Sequence, residues 1–595
     1  MDDLFRCAPI RRFPLGKSLD LVYSVLKRSA HIVSPTDAKA AALFGRFRKA
    51  SEHLAQLQQV MPAAEFASLD LAALAERGLL VSGSELLSRV STSRAEVPGQ
   101  LAWFAVPTCD RPVEFDRAIN SYVANFARFG RNPKILIADD SRLDEHTRVE
   151  RATQLRRRVG RFGLSCWYAG RKEKYRLIEL LTEDGEIPRC VAEFAICPNE
   201  DLPTMGANRN AIQLCTAGEM VLTADDDTIC QPCCAPGRDE PGRLRLCSEV
   251  DATEFWFFPD HHEAVAAARA AELDIMAAHE NLLGRPLWAV VRGLGSDSIL
   301  DLETMCNHLL SSLWTGQGKV AVTSNGCVGD SGMYSAWGVR YHDGCGTRDR
   351  LSVSEIDYRM AIRSRQVIRQ APSTTICHGS PFSAMFVGLD NRQLLPPFLP
   401  VCRNEDGVFA FVLNRCNQES YFGYLPWALV HAPAGCREYC DGVATRISEI
   451  LIACGSTWNA PNTTCAEKRL GSLGSHLVDI SSMPPDEFRE MIEFASWRRA
   501  SARIAKAESL LNASAYCPSY WEEDVVKEIE AILATVVKPA FALPSDLFGA
   551  ERLEELLART QKIVRQYGDL LCWWPAMMEK AKELSANDQI PIERI

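Results

Sequence analysis

An apolar segment that ends in three consecutive aspartates constrains this 595-residue chain more than any other feature. Residues 220–223 predict a short buried strand, and Asp225, Asp226 and Asp227 follow it after one alanine. Three carboxylates at one strand end repel each other and are costly to hold there unless a cation lies among them. In open α/β sheets such a cation commonly accompanies a phosphorylated ligand at the carboxyl ends of the strands. The Asp225-x-Asp227 pair therefore predicts Mg2+ or Mn2+ bridging a diphosphate.

The sequence before this segment alternates between strand and helix patterns. Apolar segments at 101–106, 134–138 and 166–169 predict buried strands. An amphipathic pattern at 112–129 predicts a helix between the first two strands. The basic stretch at 148–161 predicts a second helix with a solvated face, and phosphate binding is the alternative for it. Strands that alternate with helices favour a parallel, doubly wound sheet, which predicts an α/β fold.

The first 90 residues predict a small separate module. An alternating pattern at 19–25 indicates a strand, and Ser34-Pro-Thr-Asp37 is typical of a helix start. Three helix patterns follow, the last ended by a glycine and followed by a short strand: 38–50, 51–58 and 71–77. This order is winged-helix-like.

The last part of the chain has a helical pattern. Pro485 lies in the first turn of a predicted helix and acidic residues follow it, as the helix dipole favours. Three helical segments are predicted: 484–512, 520–537 and 551–585. We therefore predict three parts, with a mostly parallel α/β domain over 100–480 between the module of residues 1–90 and a helical C-terminal region over 484–595.

Composition narrows the class of partner. The formal net charge of -10 argues against nucleic acid, because binding phosphate backbones requires a basic surface. Without an apolar run of roughly 18 residues, no membrane span is expected. The first residues lack a basic segment followed by an apolar one, so a signal peptide is not expected and the predicted location is cytoplasmic. The 22 cysteines are scattered, and Cys230-x-x-Cys233-Cys234 leaves a zinc site open, although a second ligand pair is missing.

Four motifs follow one another at predicted strand ends and helix starts. They are Val106-Pro-Thr-Cys-Asp-Arg-Pro112, Ile135-Leu-Ile-Ala-Asp-Asp-Ser141, Gly206-Ala-Asn-Arg-Asn210 and Glu219-Met-Val-Leu-Thr-Ala-Asp-Asp-Asp227. In kind and order they resemble the motifs of GT-A glycosyltransferases, most of all the large inverting family 2. The resemblance implies a GT-A, Rossmann-like domain that uses a nucleotide-sugar, with UDP-sugar as the expected donor.

The resemblance also implies a role for each motif. Pro107 and Thr108 would line the nucleotide pocket, and Asp139 or Asp140 would accept a hydrogen bond from the base. A plain helix cap is the alternative for these two aspartates. The nucleotide-sugar would also be contacted by Arg209 and Asp226. The metal–diphosphate would be held by Asp225 and Asp227, and a late histidine, His431, would add a metal ligand unless it is structural.

An inverting transferase also needs a general base, which takes the proton of the acceptor. In the family that this chain resembles, the base lies in an acidic pair at a helix start. Asn404-Glu-Asp-Gly-Val-Phe409 matches that description, which makes Glu405 and Asp406 the candidates, with Asp406 favoured. Ser354-x-x-Asp357 is a second acidic candidate, but a capping box is its preferred interpretation.

Members of the resembled family that make polysaccharides usually carry membrane helices. Because no membrane span is predicted for this chain, its acceptor is expected to be a peptide or protein. The module of residues 1–90 resembles winged-helix peptide-binding domains of enzymes that modify ribosomally made peptides. Leu21-Val-Tyr-Ser, Ser34-Pro-Thr-Asp-Ala and Leu74-Ala-Glu-Arg-Gly-Leu-Leu-Val81 carry that resemblance, which implies that a precursor peptide adds as a strand to the module. A plain helical domain is the alternative.

Two other functions remain open from the sequence. A nucleotidyltransferase would use a similar sheet, but it would need a glycine-rich loop after the first strand, where this chain has Pro107-Thr-Cys-Asp-Arg-Pro. A non-catalytic peptide-binding scaffold would show no metal-dependent nucleotide binding.

Overall fold

The structure is a computed structural model that describes residues 3–67, 69, 71–91, 96, 98–199, 201–237, 242–247, 251–295, 297–342, 344–379, 383–435, 437–440, 445–512, 517–538, 541–547 and 552–595. It shows a mixed α/β protein with a large sheet and a helical C-terminal region, so the predicted fold class is confirmed at that level.

The N-terminal module contains two small sheets and a group of short helices. Its elements are β1 (Leu4–Cys7), β2 (Ile10–Pro14), β3 (Asp20–Ser24), β4 (Ser29–Val33), α1 (Pro35–Leu43), β5 (Arg48–Lys49), α2 (Ala50–Val60), α3 (Ala63–Ala67), α4 (Leu71–Glu76), β6 (Leu80–Ser82) and α5 (Gly83–Ser91). Strands β2, β3 and β4 form an antiparallel meander with β3 in the centre. The predicted strand at 19–25 is β3, and Ser34 caps α1 by accepting from the Asp37 amide, as expected.

The helix predicted over 38–50 is wrong in its length. Helix α1 ends at Leu43, and Phe44 after it has a non-helical backbone with ψ of 50°. The chain then forms β5, which pairs with β1, before α2 begins at Ala50. The pairing of β5 with β1 therefore interrupts the helix that the alanine-rich pattern predicted to continue.

The central region alternates strands and helices in its first part. Its elements up to the aspartate triplet are β7 (Leu101–Thr108), α6 (Pro112–Arg128), β8 (Lys134–Asp139), α7 (Glu145–Gly160), β9 (Cys166–Ala169), α8 (Arg171–Leu181), α9 (Arg189–Ile196), α10 (Met205–Cys215) and β10 (Met220–Ala224). Each predicted strand of this part is present, and the basic segment at 148–161 lies in α7, as predicted.

The order of these strands places the site. Strands β9, β8, β7 and β10 are neighbours in that order and all three pairings are parallel. The chain therefore leaves β7 toward β8 on one side and later returns to β10 on the other. Such a reversal opens a crevice beyond the carboxyl ends of the strands, where ligands bind in open α/β sheets. The predicted motifs after β7, β8 and β10 all lie at that edge.

The rest of the central region extends the sheet in a mixed pattern. Its elements are β11 (Thr228–Cys234), β12 (Arg243–Cys247), β13 (Glu254–Phe257), α11 (His261–Ala267), β14 (Arg269–Ala270), α12 (Ile275–Glu280), α13 (Leu287–Arg292), β15 (Ile299–Asp301), α14 (Asn307–Thr315), β16 (Lys319–Asp330), α15 (Trp337–Arg340), α16 (Cys345–Leu351), α17 (Glu355–Ala361), β17 (Gln366–Gln370), β18 (Thr374–Cys377), β19 (Phe386–Asp390), α18 (Glu405–Cys416), β20 (Ser420–His431), α19 (Ile447–Ser456) and α20 (Ala466–Ser481). Strand β19 pairs with β10 in antiparallel fashion, and the long strands β16 and β20 are parallel to each other.

The C-terminal region is helical, as predicted. Its elements are α21 (Pro485–Asn512), α22 (Ser519–Val536), a 3-10 turn (Ser545–Leu547), α23 (Leu553–Ala586) and a last short strand, β21 (Glu593–Arg594). Helix α23 packs on α20 and α9 and shares their hydrophobic core, and β21 adds to the sheet beside β9. Within the described ranges, no helix is both long enough and apolar enough to cross a bilayer.

Candidate active site

A cavity of about 1430 Å3 opens at the carboxyl ends of β7, β8 and β10. Ten of the eleven residues predicted for the site line it: Pro107, Thr108, Asp140, Arg209, Asp225, Asp226, Asp227, Glu405, Asp406 and His431. The exception is Asp139, which is not among the lining residues. Ligand pockets for one small molecule usually measure about 300–1,000 Å3, so this cavity has room for two substrates.

Each aspartate of the triplet has a different set of partners. Asp225 Oδ1 accepts from Arg209 Nη2 at 2.6 Å. Asp226 Oδ2 accepts from the Thr108 hydroxyl at 2.8 Å, so the end of β10 is tied to the end of β7. Asp227 lies 3.4 Å from Nε2 of His431 and accepts from Arg111 at 3.0 Å. Three carboxylates are therefore held together at one strand end, as the sequence predicted.

The electrostatic environment of the triplet is uneven. Burial raises the pKa of Asp225, and the nearby charge of Asp227 adds to that effect. Burial also raises the pKa of Asp226 to about 7. Burial acts in the same direction on Asp227, but its hydrogen bond with His431 and the charges of His431 and Arg111 outweigh it, so the pKa of Asp227 lies well below its ordinary value. The positive charges beside Asp225 and Asp226 therefore do not fully offset the effect of burial on their pKa values.

These side chains suit a divalent cation in their chemistry. Carboxylate oxygens from Asp225 and Asp227 are the ligands that Mg2+ and Mn2+ prefer, and an imidazole nitrogen is compatible with Mn2+. His431 is oriented for that role, because its Nδ1 lies 2.6 Å from the carbonyl oxygen of Asp330 and can donate to it, which leaves Nε2 facing Asp227. As the side chains stand, no three His, Cys, Asp or Glu residues in the described ranges converge on a single metal position.

Asp139 and Asp140 have separate environments. Asp139 is 1% exposed. Its carboxylate accepts hydrogen bonds from Arg151 Nη1 at 2.8 Å and from the Tyr168 hydroxyl at 2.9 Å, which hold it within the protein. Asp140 lines the cavity and accepts from Lys174 Nζ at 3.0 Å. Burial opposes ionisation of Asp140, but Lys174 and a hydrogen bond from Thr204 outweigh burial and lower its pKa. Of the two candidates for contact with the base, the geometry favours Asp140.

The motif Gly206-Ala-Asn-Arg-Asn210 connects three parts of the site through helix α10. Asn208 donates to the carbonyl oxygens of Thr108 and Ala138, which fixes the helix against the ends of β7 and β8. Asn210 exchanges two hydrogen bonds with the backbone of Phe398, at 2.7 and 3.0 Å. These contacts hold the helix between the sheet and the segment that leads to α18.

A glycine is required at the start of α10. A Cβ atom on Gly206 would lie 1.7 Å from the carbonyl oxygen of Leu399, so any side chain would push the helix and that segment apart. The close approach brings Arg209 between Asp225 and Glu405, whose Oε1 lies 3.4 Å from Arg209 Nε. Nη1 of Arg209 is buried and has no hydrogen-bond partner among the described residues. Arg209 also lines the cavity, so its positive charge favours an anionic ligand there.

Glu405 and Asp406 form the first turn of α18, as predicted. Asn404 before them has a left-handed backbone with φ of 68°, a conformation that asparagine tolerates better than most residues. Glu405 is 5% exposed, and burial together with the charge of Asp406 raises its pKa to about 7. Asp406 is half-buried and accepts from the Ala384 amide at 3.4 Å and from the Gly407 amide at 2.8 Å. Glu405 therefore faces Arg209, whereas Asp406 faces the loop before β19.

The second acidic candidate has a structural role. Ser354 caps α17 and accepts from the amide of Asp357, and its hydroxyl donates to the Asp357 carboxylate at 2.6 Å. Asp357 is not among the lining residues of the cavity. The interpretation of this segment as a helix cap is confirmed.

Several residues that line the cavity or contact its lining residues were not identified from the sequence. Arg111 contacts both Asp226 and Asp227, and its position directly after the first strand was the available signal. Lys174 is 1% exposed and donates to Asp140 and to Asn208. The charged residues around Lys174 in the sequence give no sign that its side chain is buried. Arg437 lies 3.8 Å from Asp227 and comes from a loop that follows β20.

The sequence left a zinc site open at Cys230-x-x-Cys233-Cys234. In the structure, the thiols of Cys233 and Cys234 contact different carbonyl groups. Cys233 Sγ lies 3.4 Å from the carbonyl oxygen of Ala428, and Cys234 Sγ lies 3.9 Å from that of Pro426. Cys247 interacts with Cys377 on the neighbouring strand β18. No described cysteine forms a disulfide bond, and just over half of the described cysteines are buried.

No protein-family model and no curated protein matches this chain.

Proposed function

We propose that this protein is a metal-dependent, inverting glycosyltransferase with a GT-A-like catalytic domain. It moves a sugar from a nucleotide-sugar, with UDP-sugar as the first donor to test, to a side chain of a peptide or protein. The observation that carries the proposal is the convergence of the aspartate triplet, Asp140, Arg209 and Asp406 on one cavity at the reversal of strand order. These residues come from four separate segments of the sequence.

The donor would occupy the part of the cavity next to the sheet. Pro107 and Thr108 at the end of β7 and Asp140 at the end of β8 form the wall that suits a nucleoside. Arg209 lines the cavity and offers its positive charge to the sugar-diphosphate. A divalent cation held by Asp225, Asp227 and His431 would offset the negative charge that develops on the leaving nucleoside diphosphate.

Asp406 would act as the general base. Its carboxylate accepts the proton of the acceptor nucleophile as that atom attacks the anomeric carbon and the bond from this carbon to the diphosphate oxygen breaks. One attack from the face opposite the leaving group inverts the configuration. Asp406 is preferred over Glu405 because Glu405 is buried against Arg209, whereas Asp406 is only half-buried in the first turn of α18.

A thermal-stability assay tests donor binding. A ligand that binds only the folded state stabilises it by about 2.7 kcal/mol at one hundred times its Kd. We expect the melting midpoint to rise with UDP or a UDP-sugar in the presence of Mn2+, and the rise to vanish when EDTA replaces the metal. Other nucleoside diphosphates, each with Mn2+ and with EDTA, serve as controls. If no nucleotide shifts the midpoint, the transferase proposal is wrong and a peptide-binding scaffold becomes the better hypothesis.

The N-terminal module would hold the acceptor peptide. Strands β2 and β4 are the two edges of its meander, and an extended peptide can pair with such an edge. Phe13 and Ile32 are 49% and 57% exposed, so apolar side chains are available beside both edges. Binding there would raise the local concentration of the modified residue at the cavity.

Replacing Ile32 by aspartate is expected to weaken binding of an acceptor peptide roughly tenfold, because the change places a charge where an apolar side chain would be covered. Fluorescence anisotropy of a labelled peptide measures this. Val149→Asp is the matched control, since Val149 is 48% exposed on α7, outside the module. Equal weakening by both changes, or by neither, would rule out the β4 edge as the peptide site.

A further inference from the structure

The cavity has a second wall, which has no role in the nucleotide-sugar binding proposed above. It is formed by α19 and α21 and carries four cationic side chains: Arg446, Arg499, Arg503 and Lys506. Three of them recur along one face of α21 with spacings of four and three residues. Glu449 is the carboxylate that lines this wall, and it pairs with both Arg499 and Arg446. Asp546 also lies within electrostatic reach of Arg446, but it accepts from the Ile447 amide and is not among the lining residues.

Two of these arginines lie over aromatic rings. The guanidinium of Arg503 lies 5.0 Å from the ring centre of Trp337, and that of Arg446 lies 4.7 Å from the ring centre of Tyr334. The attraction between a cation and a ring face favours these positions, and the N–H groups of a guanidinium can bind a carboxylate in pairs. Both rings are lining residues of the same cavity.

The cations of this wall also repel one another. Burial and the charges of Arg499 and Arg446 together lower the pKa of Arg503 to about 10. An anion placed against the wall would relieve that repulsion. The wall therefore has the opposite electrostatic character from the aspartate triplet, which needs a cation.

We infer that the wall of Arg446, Arg499 and Arg503 is an anion-binding subsite that holds an acidic side chain of the acceptor peptide. The inference rests on the proposed function in calling the bound peptide an acceptor. It adds a specificity: peptides with aspartate or glutamate close to the modified residue are preferred. An arginine guanidinium supplies paired N–H donors to a carboxylate, and the size of the cavity leaves room for the peptide beside the nucleotide-sugar.

Two labelled heptapeptides that differ only in glutamate or glutamine test the inference by fluorescence anisotropy. The glutamate probe is expected to bind the full-length protein roughly tenfold more tightly than the glutamine probe, and to lose that preference as salt is raised. Arg503→Gln should abolish the preference, whereas Arg503→Lys should retain part of it because the charge remains. Arg498→Gln is the control, since Arg498 is exposed on the same helix and is not a lining residue.

The outcomes separate this inference from the proposed function. If both probes bind the wild type equally, or if Arg498→Gln removes the preference as fully as Arg503→Gln does, the subsite is refuted. The response of the melting midpoint to UDP and Mn2+ is measured on the same variants. A retained UDP response without any glutamate preference refutes the subsite alone. A glutamate preference that depends on Arg503 supports the subsite even if no nucleotide binds, a result that would refute the transferase instead.

Discussion

Replacing Asp225 and Asp227 together by asparagine is expected to abolish metal-dependent nucleotide binding and to lower sugar transfer by about a thousandfold or more. Asparagine keeps the shape of each side chain but removes the charge that would hold the cation. Without that charge, no divalent cation would be held at the end of β10 to offset the negative charge that develops on the leaving diphosphate. The melting midpoint with UDP, measured with Mn2+ and with EDTA, reports binding, and turnover of the donor reports transfer.

The control for this double variant is a carboxylate outside the cavity. Asp201→Asn serves, because the Asp201 side chain is 99% exposed and is not a lining residue. It should leave both readouts unchanged. The melting midpoint of the double variant without ligand shows whether the fold is intact, since Arg209 and His431 lose their carboxylate partners. A folded double variant that still transfers sugar at the wild-type rate would contradict the proposed metal site.

The parts of the site that follow strands could be predicted from the sequence. The end of a buried strand is marked by a change from apolar to polar residues, and the parallel order of β7, β8 and β10 brings those ends to one edge. The aspartate triplet illustrates this, since all five residues of β10 are buried and the polar residues begin directly after it. The helix starts at Ser34, Pro485 and Glu405 were predictable for a similar reason, because local residue types determine them.

The partners that lie far apart in the sequence could not be predicted. Arg209 and Glu405 are brought together because the backbone at Gly206 touches the backbone at Leu399, and no local pattern encodes that contact. Lys174 is buried and donates to Asp140 and Asn208. The charged residues around it in the sequence are instead typical of a solvent-exposed helix face. The meander strand β2 was missed because its side chains are mostly exposed and it lacks an apolar face.

The packing of the helical C-terminal region could not be predicted either. The sequence pattern predicted its helices, but not the segments that they contact. The indole of Trp574 donates to the Leu395 carbonyl oxygen at 2.7 Å, and the hydroxyl of Tyr567 donates to that of Pro397 at 3.1 Å. Helix α23 thus supports the proline-rich segment that leads to Glu405 and Asp406. The C-terminal region takes part in positioning the candidate base, and α21 supplies the basic wall of the cavity.

Replacing Asp406 by asparagine is expected to lower kcat by about 10^2 to 10^4-fold, the usual contribution of a general base. The KM for the donor and the response of the melting midpoint to UDP and Mn2+ should stay close to wild type, because Asp406 contacts neither Arg209 nor the aspartate triplet through a hydrogen bond in the described structure. Steady-state kinetics with a peptide acceptor measures the split between kcat and KM.

The neighbouring carboxylate provides the matched comparison. Glu405→Gln keeps the shape of a buried side chain whose pKa is raised to about 7 by burial and by the charge of Asp406. If Glu405 positions Arg209, this change should weaken donor binding and alter KM more than kcat, because Arg209 loses one of its two carboxylates. If instead Glu405→Gln removes kcat while Asp406→Asn does not, Glu405 is the base and the roles within the pair are reversed. Retention of full kcat by both variants would place the base outside α18 and overturn the assignment of this helix to the chemical step.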